Sequence, residues 1–366
     1  MEFRKSPVEN MVKFNKILQE DFDFINETIK DLDFLKNTTW LITGASGMLG
    51  SYLVNYLFYV NESILKNSIK IDLILRKKSK EHNKNIRNLF NNKNVNFLIR
   101  DLSKNFRLDY KNYNYIIHAS SKAAPKTYLG DPIGTINLNV RATQKLLEIA
   151  IRDKEIKKFL FFSSGEIYGN PELQYIPTPE EYIGRIDHLN DRSCYVESKR
   201  FGETLVSNFN KAFALPTNII RPIHIYGPGI SNNDSRVWAD FIYSALEHKD
   251  LTILGDGKAI RGFCYIRDYL LQLLIILKLG KNGEIYNIGN EKGYSIEELA
   301  EVIANVFEKQ PKINILNKNI DANKNSPVIS IPSIAKVKNL FNFSSTDLDE
   351  GIRRTIDWIK IEKDGD

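Results

Sequence analysis

Tyr195-Val-Glu-Ser-Lys199 sets a phenol and an ammonium four residues apart, which on a helix puts both side chains on one face, a turn apart. A cation beside a phenol favours the phenolate and lowers its pKa towards neutrality, making the tyrosine a usable acid and base. The lysine can also hydrogen-bond a cofactor ribose. Upstream, Ser163-Ser164 ends an apolar run and supplies a hydroxyl that could hold a reacting oxygen. A second group precedes both: Gly44-Ala-Ser-Gly-Met-Leu-Gly50, three glycines spaced GxxGxxG. Gly44 suits a tight turn, Gly47 lets the backbone approach a pyrophosphate, and Gly50 lets helix and strand pack closely. The turn predicts dinucleotide contacts from Gly44, Ser46, Gly47, Met48, Leu49 and Gly50, with the pyrophosphate on the N–H groups that open the next helix.

The end of the second strand discriminates between NAD and NADP, because an acid there bonds a ribose 2′-hydroxyl and a base accommodates a 2′-phosphate. Ile71–Leu75 is followed by Arg76-Lys77-Lys78, and Asp72 comes too early to serve. Arg76 and Lys77 therefore favour NADP(H) over NAD(H), the alternative being a solvated basic loop. Asp101, directly after the third strand, is placed to meet the adenine.

These residues need a scaffold, and the chain alternates strand and helix patterns. Strands are predicted at Thr39–Thr43, Ile71–Leu75, Val95–Ile99, Tyr115–Ile117, Phe159–Ser163 and Ile219–Ile220, with helices from Ser51 to Tyr59 and from Thr135 to Arg152. Strands alternating with helices give an α/β fold with a doubly wound parallel Rossmann sheet, whose ligands bind at the carboxyl ends of the strands. The expected organisation is a helical extension over 1–38, a cofactor-binding domain over 39–221, and a smaller substrate lobe over 222–366 with some segments returning to the sheet. In the extension, Phe14, Leu18, Phe22, Ile25, Ile29 and Leu32 recur at helical spacing, and that stripe is expected to cover its own domain.

With these motifs in view, the chain resembles the extended short-chain dehydrogenases/reductases of the nucleotide-sugar epimerase/dehydratase group, from about Thr39 to Trp358. The residues carrying the resemblance are the glycine turn, Asp101-Leu102, His118-Ala-Ser-Ser121, Asn139, Phe161–Gly169, Tyr195–Lys199, Arg221–Pro228 and Gly255–Asp268. Arg192–Arg200 and Gly255–Asp268 look closest to UDP-glucuronate decarboxylases. The resemblance implies a triad of Ser164, Tyr195 and Lys199, with Glu166 orienting the sugar. It adds Asp101, Leu102, Ala119 and Ser120 to the cofactor site. Ser121, Lys122, His224, Arg236 and Arg261 are assigned to a nucleotide-diphosphate sugar, the two arginines approaching the diphosphate. Four departures from the pattern stand out. Gly165-Glu166 replaces the Asp-Glu of 4,6-dehydratases, so the elimination acid is missing. His224 stands for an Asn, Leu254 for an aromatic that stacks on uracil, and Ser330-Ile-Pro-Ser333 lacks the usual arginine and aspartate. A base other than uracil, such as cytosine, is thereby brought into play.

The rest of the composition narrows the class. The 366 residues are 42% hydrophobic and 26% charged, as in a globular protein, and the net charge of +6 is spread along the chain rather than gathered for nucleic acid. Two distant cysteines and five scattered histidines predict neither a disulfide nor a metal site. The opening MEFRKSPVEN has no apolar signal core, and Leu270–Leu279 is too short to span a bilayer, so a cytoplasmic homodimer without membrane insertion is expected. Three functions follow. The basic run leads to NADPH-dependent reduction of a carbonyl, either a 4-keto sugar or a CDP-ketose giving a CDP-alditol, for surface polysaccharide precursors. The alternative is a redox-neutral decarboxylase or C4 epimerase with tightly bound NAD. The third, a nucleotide sensor without chemistry, fits poorly with an intact triad.

Overall fold

The structure is a computed structural model that describes residues 14–79, 81–109, 111–232, 234–316 and 327–364. Parts of the predicted N-terminal extension (1–13) and C-terminal lobe (233, 317–326 and 365–366) lie outside the described residues. Seven parallel strands form the central sheet: β1 Thr39–Thr43, β2 Lys70–Leu75, β3 Val95–Ile99, β4 Tyr115–His118, β5 Lys158–Phe162, β6 Thr217–Pro222 and β7 Ile285–Ile288. Their order is β7-β6-β5-β4-β1-β2-β3. The strand order reverses between β1 and β4, so a crevice opens at their carboxyl ends, just where Gly44 and Ala119 follow. Alternation along the strands feeds two separate cores. Trp40 and Ile42 pack with helices α1 (Lys16–Ile29), α2 (Met48–Ser63), α5 (Ile266–Leu279) and α6 (Leu348–Asp364). Leu41, one residue between them, packs with α3 (Ala142–Ala150) and α4 (Ser193–Phe213) on the opposite face.

Two differences from the sequence reading have physical causes. The helix predicted over 135–152 is broken: Pro132–Ile136 is followed by a π-helical turn, Asn137–Arg141, before α3 begins. The wide turn brings buried Asn139 inward, where its amide accepts from Ser121 Oγ at 2.8 Å and donates to Ser198 Oγ at 2.9 Å. Such insertions accompany functional sites. The seventh strand was not predicted, because Ile285-Tyr-Asn-Ile288 is short and carries a polar residue. Its place comes from long-range pairing with β6, Ile285 opposite Ile219.

In α5 every residue from Ile266 to Leu277 is buried. Gln272, the polar interruption in that apolar run, accepts from Gly289 N at 3.1 Å and donates to Gly289 O at 3.0 Å, holding the chain just after β7. The remaining strands form small sheets. Cys264–Tyr265 pairs with Ile225–Tyr226, Ile260–Arg261 lies between Tyr294–Ser295 and Ile329–Ser330, and Leu251–Leu254 pairs with Ile313–Leu316. This smaller region starts where β6 ends. Among the described residues, no helix is long and apolar enough to cross a membrane.

Candidate active site

The glycine turn has the geometry its spacing predicts. Gly44 has φ +73°, and a Cβ there would lie 2.6 Å from the Ala119 carbonyl carbon. A Cβ on Gly50 would come within 2.2 Å of the Gly44 carbonyl oxygen, so this glycine is fixed by helix–strand packing. Gly47 differs, since a Cβ there would meet only Gly44 O at 3.5 Å. Among the described residues, no side chain caps the helix that Gly47 opens. An uncapped helix end with a bare backbone fits the pyrophosphate of a dinucleotide. Ser120 N donates to Thr43 Oγ1 at 3.1 Å, which holds the β4 loop against this turn.

Arg76 and Lys77 follow β2 and are exposed. Burial alone would raise the Asp101 carboxyl, but hydrogen bonds from Ser103 and the charges of Lys104 and Arg76 hold it below its ordinary value. Arg76 thus stands near Asp101, on the side where the sequence places the adenosine. Leu102 is buried in the core, leaving only its backbone to meet a ligand.

The catalytic candidates converge. Tyr195 and Lys199 lie in the first two turns of α4, and both are buried. Ser164 leaves β5 in an extended conformation and caps the turn Gly165–Tyr168 by accepting from Glu166 N at 3.2 Å. Its hydroxyl hydrogen-bonds the Tyr195 phenol. The predicted lowering of the tyrosine pKa is corrected by the structure. Burial pushes the Tyr195 phenol up, the Glu166 carboxylate adds to this, and Ser164 and Arg236 only partly oppose it. Lys199 Nζ is turned to the Phe162 carbonyl at 2.6 Å and stands 6.0 Å from the Tyr195 ring centre. Burial moves that amine down to about 7, against the pull of Glu203. Burial therefore acts on both partners in the direction of neutrality.

A stability prediction follows. Between pH about 7 and the ordinary lysine value of 10.5, the unfolded chain binds a proton that folded Lys199 does not. Stability from this group therefore rises with pH across that window, by up to about 1.4 kcal/mol per pH unit, and the contribution to the slope vanishes below it. Lys199→Met should flatten the dependence measured by denaturant unfolding. An unchanged slope would contradict the assignment.

Sequence reasoning missed the surroundings of this group. Arg192, one turn before Tyr195, pairs with Glu166 at 3.0 Å, both side chains being about one-third exposed. Tyr128 stacks on Tyr195, ring centres 5.1 Å apart and planes 13° from parallel. The Arg192 guanidinium also borders the Tyr128 phenol. The sequence signals were that Arg192 lies three residues before Tyr195 and opens the stretch Arg192–Arg200 that resembles UDP-glucuronate decarboxylases, but neither paired it with Glu166. Gly165 packs against Ile223: a Cβ there would lie 2.3 Å from Ile223 Cγ1.

The predicted substrate contacts fall into two groups. Ser121 bonds Asn139, and Lys122 pairs with Asp131 near the β4 loop. His224, Arg236 and Arg261 come together after β6. Burial and the charges of Arg261 and Arg236 push the His224 ring down to about 3, so it is neutral. Its Nε2 lies 2.9 Å from Ser330 Oγ. Two of the departures noted in the sequence, His224 and Ser330, thus touch each other. Arg236 is held by Asp234, with Nε 2.9 Å from Oδ1, and Arg261 donates to the Ile260 carbonyl at 2.8 Å. Among the described residues no three His, Cys, Asp or Glu side chains are grouped to hold a metal ion.

Comparison with known proteins gives the family. Residues 40–289 match the model of the NAD dependent epimerase/dehydratase family. UDP-glucuronic acid decarboxylase 1 of Arabidopsis thaliana is 30% identical over 317 residues, covering 86% of this chain and 68% of that protein. UDP-glucuronic acid decarboxylase 3 of the same plant is 31% identical, covering 86% and 87%. The crystal structure of UDP-glucuronic acid 4-epimerase from Bacillus cereus, in complex with UDP-glucuronic acid and NAD, superposes with a TM-score of 0.73 at 26% identity, covering 88% of this chain and 99% of the other. With its glycine turn, its Ser-Tyr-Lys group and these relatives, the chain belongs to the NAD dependent epimerase/dehydratase family.

Proposed function

We propose that this protein catalyses a redox-neutral conversion of a nucleotide-linked hexuronate, decarboxylation or C4 epimerisation, holding NAD throughout the turnover. This takes first place over NADPH-dependent carbonyl reduction because the relatives are decarboxylases and the structural neighbour is a 4-epimerase, all named for UDP-glucuronic acid. The observation that carries it is the meeting of buried Tyr195 and Lys199 with half-buried Ser164, with the Glu166–Arg192 pair at the edge of the group. NAD, when bound, supplies a hydride acceptor that gives the hydride back. Tyr195 takes the proton of the sugar hydroxyl and later returns one, Ser164 holds the oxygen, and Lys199 orients the ribose and supplies charge. Arg192 receives the sugar carboxylate, for which its planar guanidinium is suited, while Glu166 keeps it in place. Ile223 fills the space an acid at position 165 would need, which weighs against dehydration.

On this reading Gly44, Ser46, Gly47, Met48, Leu49, Gly50, Asp101, Leu102, Ala119 and Ser120 hold the dinucleotide. Ser121, Lys122, His224, Arg236 and Arg261 hold the nucleotide diphosphate sugar, a neutral His224 leaving the two arginines to carry the positive charge. Exposed Leu129, Ile133, Ile136 and Phe201, on neighbouring helices, offer an apolar face for a homodimer. The test is incubation of the purified protein with UDP-glucuronic acid and no added cofactor. Carbon dioxide with a pentose product, or the C4 epimer, supports the proposal, and no conversion without a stoichiometric reductant opposes it.

One observation favours a second cofactor reading. Exposed Arg76 near Asp101 suits a 2′-phosphate. If it reads one, Arg76→Ala with Lys77→Ala weakens NADP(H) binding by about 1–3 kcal/mol, as for lost charge-assisted bonds, and spares NAD(H). Equal losses, measured by titration with both cofactors, would leave the run as a solvated loop.

A further inference from the structure

We infer that α1 is a clamp on the cofactor helix α2, built to slow the release of NAD. The inference rests on the proposal that the Gly44–Gly50 turn binds NAD for the whole turnover. The matched family region begins at residue 40, so α1 lies outside it, yet the two helices are fitted to each other side chain by side chain. Tyr52, Tyr56 and Tyr59 stand at i, i+4 and i+7 on α2, one stripe of one face. Each hydroxyl donates to a different α1 side chain: Tyr52 to Asp21 Oδ2 at 2.7 Å, Tyr56 to Asn26 Oδ1 at 2.9 Å, and Tyr59 to Asp23 Oδ1 at 2.6 Å. Phe22 packs among the three rings, with centres 5.2 to 5.6 Å away.

Asp21 is fully buried, and it also accepts from Tyr265 Oη at 2.7 Å and Arg354 Nε at 2.9 Å. Arg267 NH1 lies 3.8 Å away. One carboxylate thus joins α1, α2, α6 and the start of α5. A buried ion network is weak evidence for net stability, and in this clamp its role is to place the elements it joins. What it places is the start of α2. Tyr52 lies one turn beyond Met48, the first residue of the helix, and Tyr269 of α5 donates to the Leu49 carbonyl at 3.3 Å. The helix whose first turn would face the pyrophosphate is therefore braced by this network and by Tyr269. Holding that end of the helix in its binding geometry lowers the ordering cost of binding NAD and so slows its release, which suits an enzyme that reuses one cofactor.

The test uses the full chain with Tyr52→Phe and, separately, Tyr59→Phe at the edge of the interface, so that each ring stays and only the hydroxyl is lost. The quantities are the dissociation rate of NAD from the holoenzyme, KM for UDP-glucuronic acid and Tm. The clamp predicts NAD release about tenfold faster for Tyr52→Phe, as for one hydrogen bond, with a smaller rise for Tyr59→Phe and KM unchanged. Variants with lower Tm and an unchanged NAD dissociation rate would reduce α1 to a structural support and overturn the inference. A wild-type chain that releases NAD in each turnover would instead overturn the reading on which the clamp rests.

Discussion

Replacing Tyr195 with Phe lowers kcat by about 10²–10⁴ and leaves KM for the nucleotide sugar nearly unchanged, because only the proton carrier is lost. The ring stays stacked on Tyr128, 5.1 Å between centres, so the pocket keeps its shape. The hydroxyl bonds Ser164 and feels the Glu166 carboxylate. Because burial holds the phenol above its ordinary value, the charge on Lys199 has to contribute as the proton leaves, and Lys199 titrates at about 7. Activity should accordingly fall as pH rises through that value and the ammonium is lost. Steady-state kinetics across pH checks both statements. A Tyr195→Phe enzyme with near-normal turnover would remove the phenol from the chemistry.

The largest effect on stability is expected at Glu203. It lies one turn beyond Lys199 on α4 and takes a two-pronged bond from Arg221 of β6, Nε at 2.9 Å and NH2 at 2.7 Å. Arg221 also donates to the Tyr168 hydroxyl and the Glu180 carbonyl, both at 2.8 Å. The pair thus ties the helix that carries Tyr195 to the sheet and to the chain that follows Ser164. Glu203→Ala leaves a buried guanidinium without its carboxylate, which costs about 3–5 kcal/mol. It also removes the attraction that opposes the fall of the Lys199 pKa, so the pH limit of activity moves lower. Glu203→Gln, which keeps the shape and part of the bonding, should lose less. Urea unfolding of both variants measures the difference, and a loss below 1 kcal/mol for Glu203→Ala would contradict this account of the pair.

What the sequence made legible were features written in local spacing. The glycine turn, the strands Thr39–Thr43 and Val95–Ile99, and the amphipathic stripe of α1 all depend on neighbours within a few residues. The shared face of Tyr195 and Lys199 was legible from helix spacing, whereas their meeting with Ser164, which lies past the end of β5, was implied by the resemblance to the family. Features that depend on distant partners were not. Asn139 forms a π turn to reach Ser121 and Ser198, β7 exists through its pairing with β6, and Asp21 draws on residues as far away as Arg354. The direction of the Tyr195 pKa was misread for a related reason: spacing shows that a cation is near, but burial decides how a phenol titrates. The pairing of Arg192 with Glu166 likewise needed the turn after β5, which spacing along α4 does not describe.

In the reaction proposed, the hydride leaves and returns within one turnover. Its most direct measurement uses UDP-glucuronic acid carrying deuterium at C4, mixed with unlabelled substrate, and the protein as isolated, followed by mass spectrometry of the product. The expected result is conversion without added reductant, deuterium retained in the product from the labelled molecules, and no net accumulation of reduced nicotinamide. Conversion that stops without added NADPH, or a product whose C4 hydrogen comes from that NADPH, would contradict it.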